Sequence, residues 1–111
     1  MISSIPIDET TVHLVLSGRL DLENTPQLRQ LLLQARTGGA RYFLMSLSDL
    51  EFMDSSGLSA LVSGLKAARL AGGELVLIAP SVSVTKLLEL TLLNQVIPVV
   101  SDLESAQQRC V

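Results

Sequence analysis

Between Tyr42 and Ala79 the chain runs through a strand-length apolar segment, a helix-period stripe and a second apolar segment. Tyr42-Phe43-Leu44-Met45-Ser46-Leu47 reads as a buried strand. Leu58, Leu61, Val62, Leu65 and Ala68 then recur at helical spacing. Glu74-Leu75-Val76-Leu77-Ile78-Ala79 is again continuous and apolar. A crossover helix returns the chain to the end of the sheet where the first strand began, so two strands joined this way run parallel. This unit restricts the chain to architectures in which helices pack on a largely parallel sheet.

The remaining segments extend the same alternation. Residues 2–7 form a short apolar segment broken by Pro6, as expected of an edge strand. Asp8-Glu9-Thr10 is a turn, and Val12, Leu14 and Leu16 alternate with His13, Val15 and Ser17 as a strand that Gly18 ends. So short a link pairs the first two strands antiparallel. Asp21 to Thr25 is a loop, and Pro26 opens a helix through about Arg36 with Leu28, Leu31, Leu32 and Ala35 as its apolar stripe. Gly38-Gly39 stops it. Arg41 to Leu47 is the third strand, and Ser48-Asp49-Leu50-Glu51 is a loop. The central helix runs from Ser55 to about Ala71, before Gly72-Gly73. Pro80 and Ser81 follow the fourth strand. Val84, Leu87, Leu88 and Thr91 mark a third helix ending at Leu92 or Leu93, with Asn94 as C-cap. Val96 to Val100 is a last edge strand because Pro98 lacks a donor, and Asp102 to Arg109 is a terminal helix. The order is β-β-α-β-α-β-α-β-α, an α/β chain with a mixed, mostly parallel sheet.

Its 111 residues suffice for one domain, expected to span 1–111. Aromatic residues make up 3 % of the chain against 48 % hydrophobic, so the core must be aliphatic. A net charge of −3 argues against nucleic acid as the main partner. The N-terminus lacks the basic and apolar regions of a signal peptide. No uncharged apolar run approaches the ~18 residues that cross a bilayer. The single cysteine, Cys110, cannot form a disulfide within the chain, which fits a reducing compartment. The expectation is a cytoplasmic protein that does not act on membranes.

Catalytic constellations are sparse. His13 stands alone within a strand pattern, and Cys110 lies in the C-terminal tail. No Cys/His cluster suggests zinc, and no glycine-rich loop of the Walker or dinucleotide type is present, so neither metal nor cofactor is expected. Asp21, Asp49, Glu51 and Asp54 can converge at one end of the sheet, but nothing in their spacing specifies an acid–base pair. Loop carboxylates are ordinarily turn or cap residues.

Phe52-Met53-Asp54-Ser55-Ser56-Gly57-Leu58 lies at the strand-to-helix turn, with Asp54 or Ser55 as N-cap. An ordinary cap explains much of it. Three features go further. Two serines are adjacent where one would cap. Gly57 in the first turn costs about 1 kcal/mol relative to alanine, so something approaches the backbone there. With Leu58, Leu61, Val62, Leu65 and Ala68 inward, the outer face carries Ser56, Ser59, Ala60, Ser63, Gly64 and Ala67, all small. Either another protein's helix or a second helix of this domain covers such a face. A phosphate on Ser55 would add about −1.5 to −2 charges at a helix N-terminus, which favours anions. It would change the surface without unfolding the domain.

The chain resembles the STAS domains, specifically the stand-alone bacterial anti-sigma factor antagonists, over nearly its whole length. The resemblance rests on Gly18-Arg19-Leu20-Asp21, on Leu47-Ser48-Asp49-Leu50-Glu51-Phe52-Met53-Asp54-Ser55-Ser56-Gly57-Leu58, and on Ala71-Gly72-Gly73-Glu74-Leu75. It implies a STAS fold, with an N-terminal antiparallel hairpin and helices largely on one face of the sheet. It implies a non-enzymatic, phosphorylation-controlled switch. Ser55 matches the serine phosphorylated by a partner that is both anti-sigma factor and GHKL-type serine kinase. The unphosphorylated form binds that partner and frees the sigma factor, and a PP2C-type phosphatase resets it. Asp21 matches an aspartate of the partner surface. Asp54, Ser56, Gly57, Ser59 and Ser63 complete the expected docking set. Family members often carry an acidic residue where this chain has Arg19, which bears on partner choice. Alternative outputs are a subunit of a lipid-transport ABC complex, or partner switching that controls secretion or a cyclic-nucleotide enzyme.

Overall fold

The computed structural model describes residues 1–110. Five strands form one sheet in the order β1-β2-β3-β4-β5. They are β1 (Ile2–Pro6), β2 (Thr11–Leu20), β3 (Tyr42–Met53), β4 (Glu74–Ile78) and β5 (Val99–Val100). β1 pairs antiparallel with β2, and every later pairing is parallel. The intervening helices are α1 (Thr25–Thr37), α2 (Ser55–Leu70) and α3 (Val82–Leu90), and α4 (Leu103–Gln107) closes the chain.

This strand order places the helices. β2 to β5 are added in chain order without a reversal. Crossovers of one hand then put every connecting helix on the same face. α1, α2 and α3 accordingly share one core with that face. It contains Leu14, Leu16, Phe43, Met45, Leu75 and Leu77 from the strands, with Leu28, Leu61, Leu65 and Leu88 from the helices. Each fully buried leucine contributes about 1.5–3 kcal/mol of burial free energy. α4 is reached after the last strand, with no crossover to constrain it, and folds onto the opposite face. There Ala106 packs with Leu44, Val76 and Ile78. Cys110 joins that second cluster, its thiol donating to the Ala106 carbonyl at 3.6 Å, and burial pushes the thiol pKa up. His13 lies on the same side of the sheet, half-buried, 2.8 Å from the Ser46 hydroxyl, with its pKa lowered by burial.

Two expected boundaries move. Gly18 does not end β2, and Ser48 to Glu51 is strand rather than loop. β2 and β3 stay paired as far as Arg19 opposite Phe52 and Leu20 opposite Met53. β3 carries one extra residue where Val15–Ser17 opposes Ser46–Asp49, and another where Gly18–Arg19 opposes Leu50–Phe52. Each extra residue resets which side chains face the helices. Leu47, Leu50 and Met53 therefore all point inward at intervals of three, which hides the strand from a period-two reading. Gly18 supplies the φ of +81° beside the second bulge.

α3 is also shorter than expected. It ends at Leu90 because Leu92 takes a left-handed φ of +61°, and a single 3₁₀ turn, Leu93–Gln95, follows. β5 then forms only after Pro98, whose carbonyl accepts from the Leu77 amide at 2.9 Å.

Gly73 fixes the approach of α2 to β4. A Cβ there would lie 1.7 Å from the Arg41 carbonyl oxygen, which accepts from the Glu74 amide. Backbone on both sides leaves nothing to give way. Gly73→Ala should therefore destabilise the domain by about 3 kcal/mol or more, read from chemical unfolding.

Candidate functional site

The paired ends of β2 and β3 form an arm that extends past the β3–β4 ladder, which stops at Ser46 and Ile78. The chain leaves this arm at Asp54, whose amide donates to the Leu20 carbonyl at 3.2 Å. The next residue, Ser55, is already helical. β2 leaves the arm through a turn at Asp21 to Asn24. The Asp21 carbonyl accepts from the Asn24 and Thr25 amides, and the Asp21 side chain accepts from the Glu23 amide at 3.0 Å. Asn24 holds the turn to the strand, accepting from the Asp21 amide at 2.8 Å and donating to the Arg19 carbonyl.

Asp54 is the N-cap of α2. Its Oδ1 accepts from the amides of Ser56 at 2.9 Å and Gly57 at 3.2 Å, and from the Ser56 hydroxyl. The Ser56 hydroxyl bond, opposed by partial desolvation and aided by the amides of Gly57, Ser56 and Leu22, lowers the Asp54 pKa below the usual carboxylate range. With its proton committed to Asp54, the Ser56 oxygen is left as acceptor for the buried Thr25 hydroxyl, 3.2 Å away. Ser56 is thus a structural link between α2 and α1.

Ser55 is exposed, and no hydrogen bond holds its hydroxyl among the described residues. The capping is done by Asp54 and the bridging by Ser56. Ser59 and Ser63 continue the exposed line along α2, and the Ser59 hydroxyl accepts from Arg29 Nη2 at 3.2 Å. Beside the N-terminus, Asp21 pairs with Arg19 at 3.5 Å, and the Arg19 guanidinium lies 4.1 Å from the centre of the Phe52 ring. Leu22 is exposed nearby in the turn.

Gly57 does not lie on this outer surface. It is buried, and a Cβ there would meet Met53 Cγ at 2.7 Å and Leu20 Cδ2 at 3.0 Å. The close approach inferred for Gly57 comes from the domain's own core. Ala60 and Gly64, expected on the outer face, are buried, with Leu32 of α1 3.3 Å from a Cβ built on Gly64. α1 therefore covers part of the small-residue face; of that face Ser59 and Ser63 stay exposed, Ser56 and Ala67 are half-buried, and Ser55 is exposed beside them. Leu58 and Val62, expected inward, are half-buried. Asp49 and Glu51 line a different depression, with Ser81 and Ser83. Periodicity gives no sign of the roles of Thr25, Asn24 and Arg29. Asn24 and Thr25 are both cap-type residues ahead of Pro26, which signals a helix start but not these contacts, and Arg29 carries no signal.

Fold and site together define a small α/β domain with an exposed serine on a capped helix N-terminus. The chain belongs to the STAS domain family, whose profile matches residues 3–106. It is 34 % identical over 74 residues to a Staphylococcus aureus protein named anti-sigma-B factor antagonist, covering 67 % of this chain and 68 % of that one. The fold matches a Thermotoga maritima crystal structure with a TM-score of 0.90 at 24 % identity, covering 98 % of this chain and 93 % of that one. It also matches Bacillus SpoIIAA, an anti-sigma factor antagonist, in two forms. The unphosphorylated form has a TM-score of 0.86 at 23 % identity, covering 97 % of this chain and 95 % of that one. The phosphorylated form has a TM-score of 0.78 at 22 % identity, covering 97 % and 98 %.

Two outcomes test the site. Gly57→Ala gains helix propensity of about 1 kcal/mol but must push Leu20 and Met53 aside, which costs about 1–3 kcal/mol. A net loss of roughly 1 kcal/mol is expected in denaturant unfolding. Asp54→Ala should lower Tm and speed amide exchange at Ser56 and Gly57. Asp54 has a lowered folded pKa, so its stabilisation is complete above the unfolded value of about 3.9 and is lost as pH falls through the folded one. The difference in Tm between wild type and Asp54→Ala should therefore persist at neutral pH and shrink below about pH 4.

Proposed function

We propose that this STAS domain is an anti-sigma factor antagonist, a protein-binding switch without catalysis of its own, thrown by phosphorylation of Ser55. The observation that carries the reading is the division of labour at the α2 N-terminus. Asp54 and Ser56 are committed to the fold, while the Ser55 hydroxyl is exposed and uncommitted. A kinase can reach it without unfolding anything. The names of the relatives supply the direction of the reading, since the S. aureus protein is called an antagonist of an anti-sigma factor.

The partner is an anti-sigma factor that is also a GHKL-type serine kinase, and a PP2C-type phosphatase restores the free serine. Unphosphorylated, the chain presents Ser55, Ser59 and Ser63 as a low surface, flanked by Asp21 and Asp54. The role of Ser56 and Gly57 there is to hold α2 in place. Phosphorylation adds about −1.5 to −2 charges. The Ser56 and Gly57 amides are already occupied by Asp54, so the phosphate competes with that carboxylate for donors or projects outward. Both outcomes set bulk and like charge against the docked partner. The chain works as a single domain over 1–111, in the cytoplasm.

Intact mass after incubation with ATP and a lysate of the source organism should rise by one phosphate in the wild type and not in Ser55→Ala. Ser55→Asp should bind the kinase roughly tenfold or more weakly, and Ser55→Ala should bind as wild type. Equal binding by the two variants would sink the switch. No phosphate gain, together with co-purification of a membrane ATPase, would transfer the reading to a transporter subunit.

A further inference from the structure

α1 and α2 run side by side in the same direction. Thr25 lies against Ser56 and Arg29 against Ser59, and Arg36 shares a groove with Ala67. The groove holds a cavity of about 90 Å³ floored by Leu32, Phe43, Ala60 and Gly64. Its α1 rim carries Arg29 and Arg36, both exposed, with the half-exposed Leu33 between them. Seven residues separate the two arginines, which is about 10.5 Å along a helix. Neither is among the ion pairs formed by the described residues, which are Arg19–Asp21 and Arg69–Glu74.

The charge of these two helices opposes that of the chain. Residues 25–37 and 55–70 contain Arg29, Arg36, Lys66 and Arg69 and not one aspartate or glutamate, although the protein as a whole has a net charge of −3. All 11 acidic residues lie elsewhere. Arg69 is paired with Glu74, so among the described residues the free cations beside the groove are Arg29 and Arg36, and the α1 rim is a cationic edge along an apolar slot. The slot is continuous with the Ser59 and Ser63 line through the Arg29–Ser59 hydrogen bond.

We infer that the α1–α2 groove docks an acidic amphipathic helix of a protein partner. Two of its carboxylates, seven residues apart, meet Arg29 and Arg36, and an apolar side chain between them enters the cavity. The spacing follows from matching one helix to another, since residues seven apart return to the same face after two turns. The absence of side chains larger than serine at Ser59, Ala60, Ser63, Gly64 and Ala67 allows a close approach on the α2 side. Exposed arginine–carboxylate pairs are individually weak and screened by salt, so the apolar side chain fixes position and the charges select the partner. This deepens the docking reading above by naming the chemistry of the contacting segment, and rests on it only in that a protein docks there.

A short synthetic helix with glutamates seven residues apart and a leucine between them tests this without Ser55 or a captured partner. Titrated into the whole protein, it should shift the backbone NMR signals of Arg29, Leu33, Arg36, Ser63 and Ala67. The same helix with lysines in place of the glutamates should not. Arg29→Gln with Arg36→Gln should weaken the response roughly three- to tenfold, with signal dispersion retained as proof of folding. Absence of shifts at millimolar peptide, shifts elsewhere, or an equal response to the lysine helix would overturn the inference. Phosphatidylglycerol vesicles that perturb the same signals as strongly would overturn it in favour of a lipid surface. Because Ser55 plays no part, failure here leaves the phosphorylation switch standing, and failure of the Ser55 experiments leaves the groove standing.

Discussion

The pairing of β2 with β3 beyond the body of the sheet is the contact on which the rest depends. Where β4 no longer accompanies them, the two strands continue together to Leu20 and Met53. They carry two register shifts that turn Leu47, Leu50 and Met53 toward the helices. Without those shifts, strict alternation would turn Leu50 to the opposite face from Leu47 and Met53. The shifts keep the arm seated on α2 and α3 while projecting its tip. Asp54 is clamped to Leu20 at that tip, so the start of α2 is set by the strands and not by the helix. An exposed serine on such a mount has a fixed position, which a surface loop would not give it.

The cap then sorts neighbouring residues of similar chemistry into different duties. Asp54 spends its acceptor capacity on Ser56 and Gly57, while the Asp21 carbonyl in the β2–α1 turn accepts from the Thr25 amide. Ser56 passes the connection on to Thr25 at the start of α1. One hydrogen-bonded chain thus joins the β2–α1 turn, the α2 N-terminus and α1, and Ser55 is bypassed. A charge added at Ser55 meets amides already bonded to Asp54, so it competes with that carboxylate or projects outward.

Much of the architecture was legible because it follows from periodicity. The apolar runs at 42–47 and 74–79 and the stripe between them defined a parallel unit, and the short link at Asp8 to Thr10 defined the hairpin. What periodicity could not reveal was any place where the count per turn or per pleat changes. Ser48 to Glu51 looked like a loop because its buried residues recur every third position. The end of α3 was misplaced because Leu92 adopts a left-handed conformation that its side chain gives no reason to expect. The candidate site was legible in its centre, Asp54-Ser55-Ser56, from cap chemistry and from the family motif. It was illegible in Thr25 and Arg29, whose parts depend on contacts between segments about thirty residues apart.

The small residues of α2 show how one sequence signal can serve two constraints. Gly57 is small because Leu20 and Met53 press on it, and Gly64 because Leu32 and Leu75 do. These positions would be small in a domain that bound nothing. Ser59 and Ser63 are exposed with no core side chain pressing on them, although the Ser59 hydroxyl accepts from the exposed Arg29. An exposed helix position under no packing pressure ordinarily gains from Glu, Lys or Gln, which favour the helix and solvation. Serine at both is locally unfavourable, and no carboxylate pairs with Arg29 or Arg36 among the ion pairs of the described residues. Departures from local preference that the fold does not require are expected where a protein meets something else. The exposed line of α2 and the cationic rim of α1 meet that description, and the internal glycines do not.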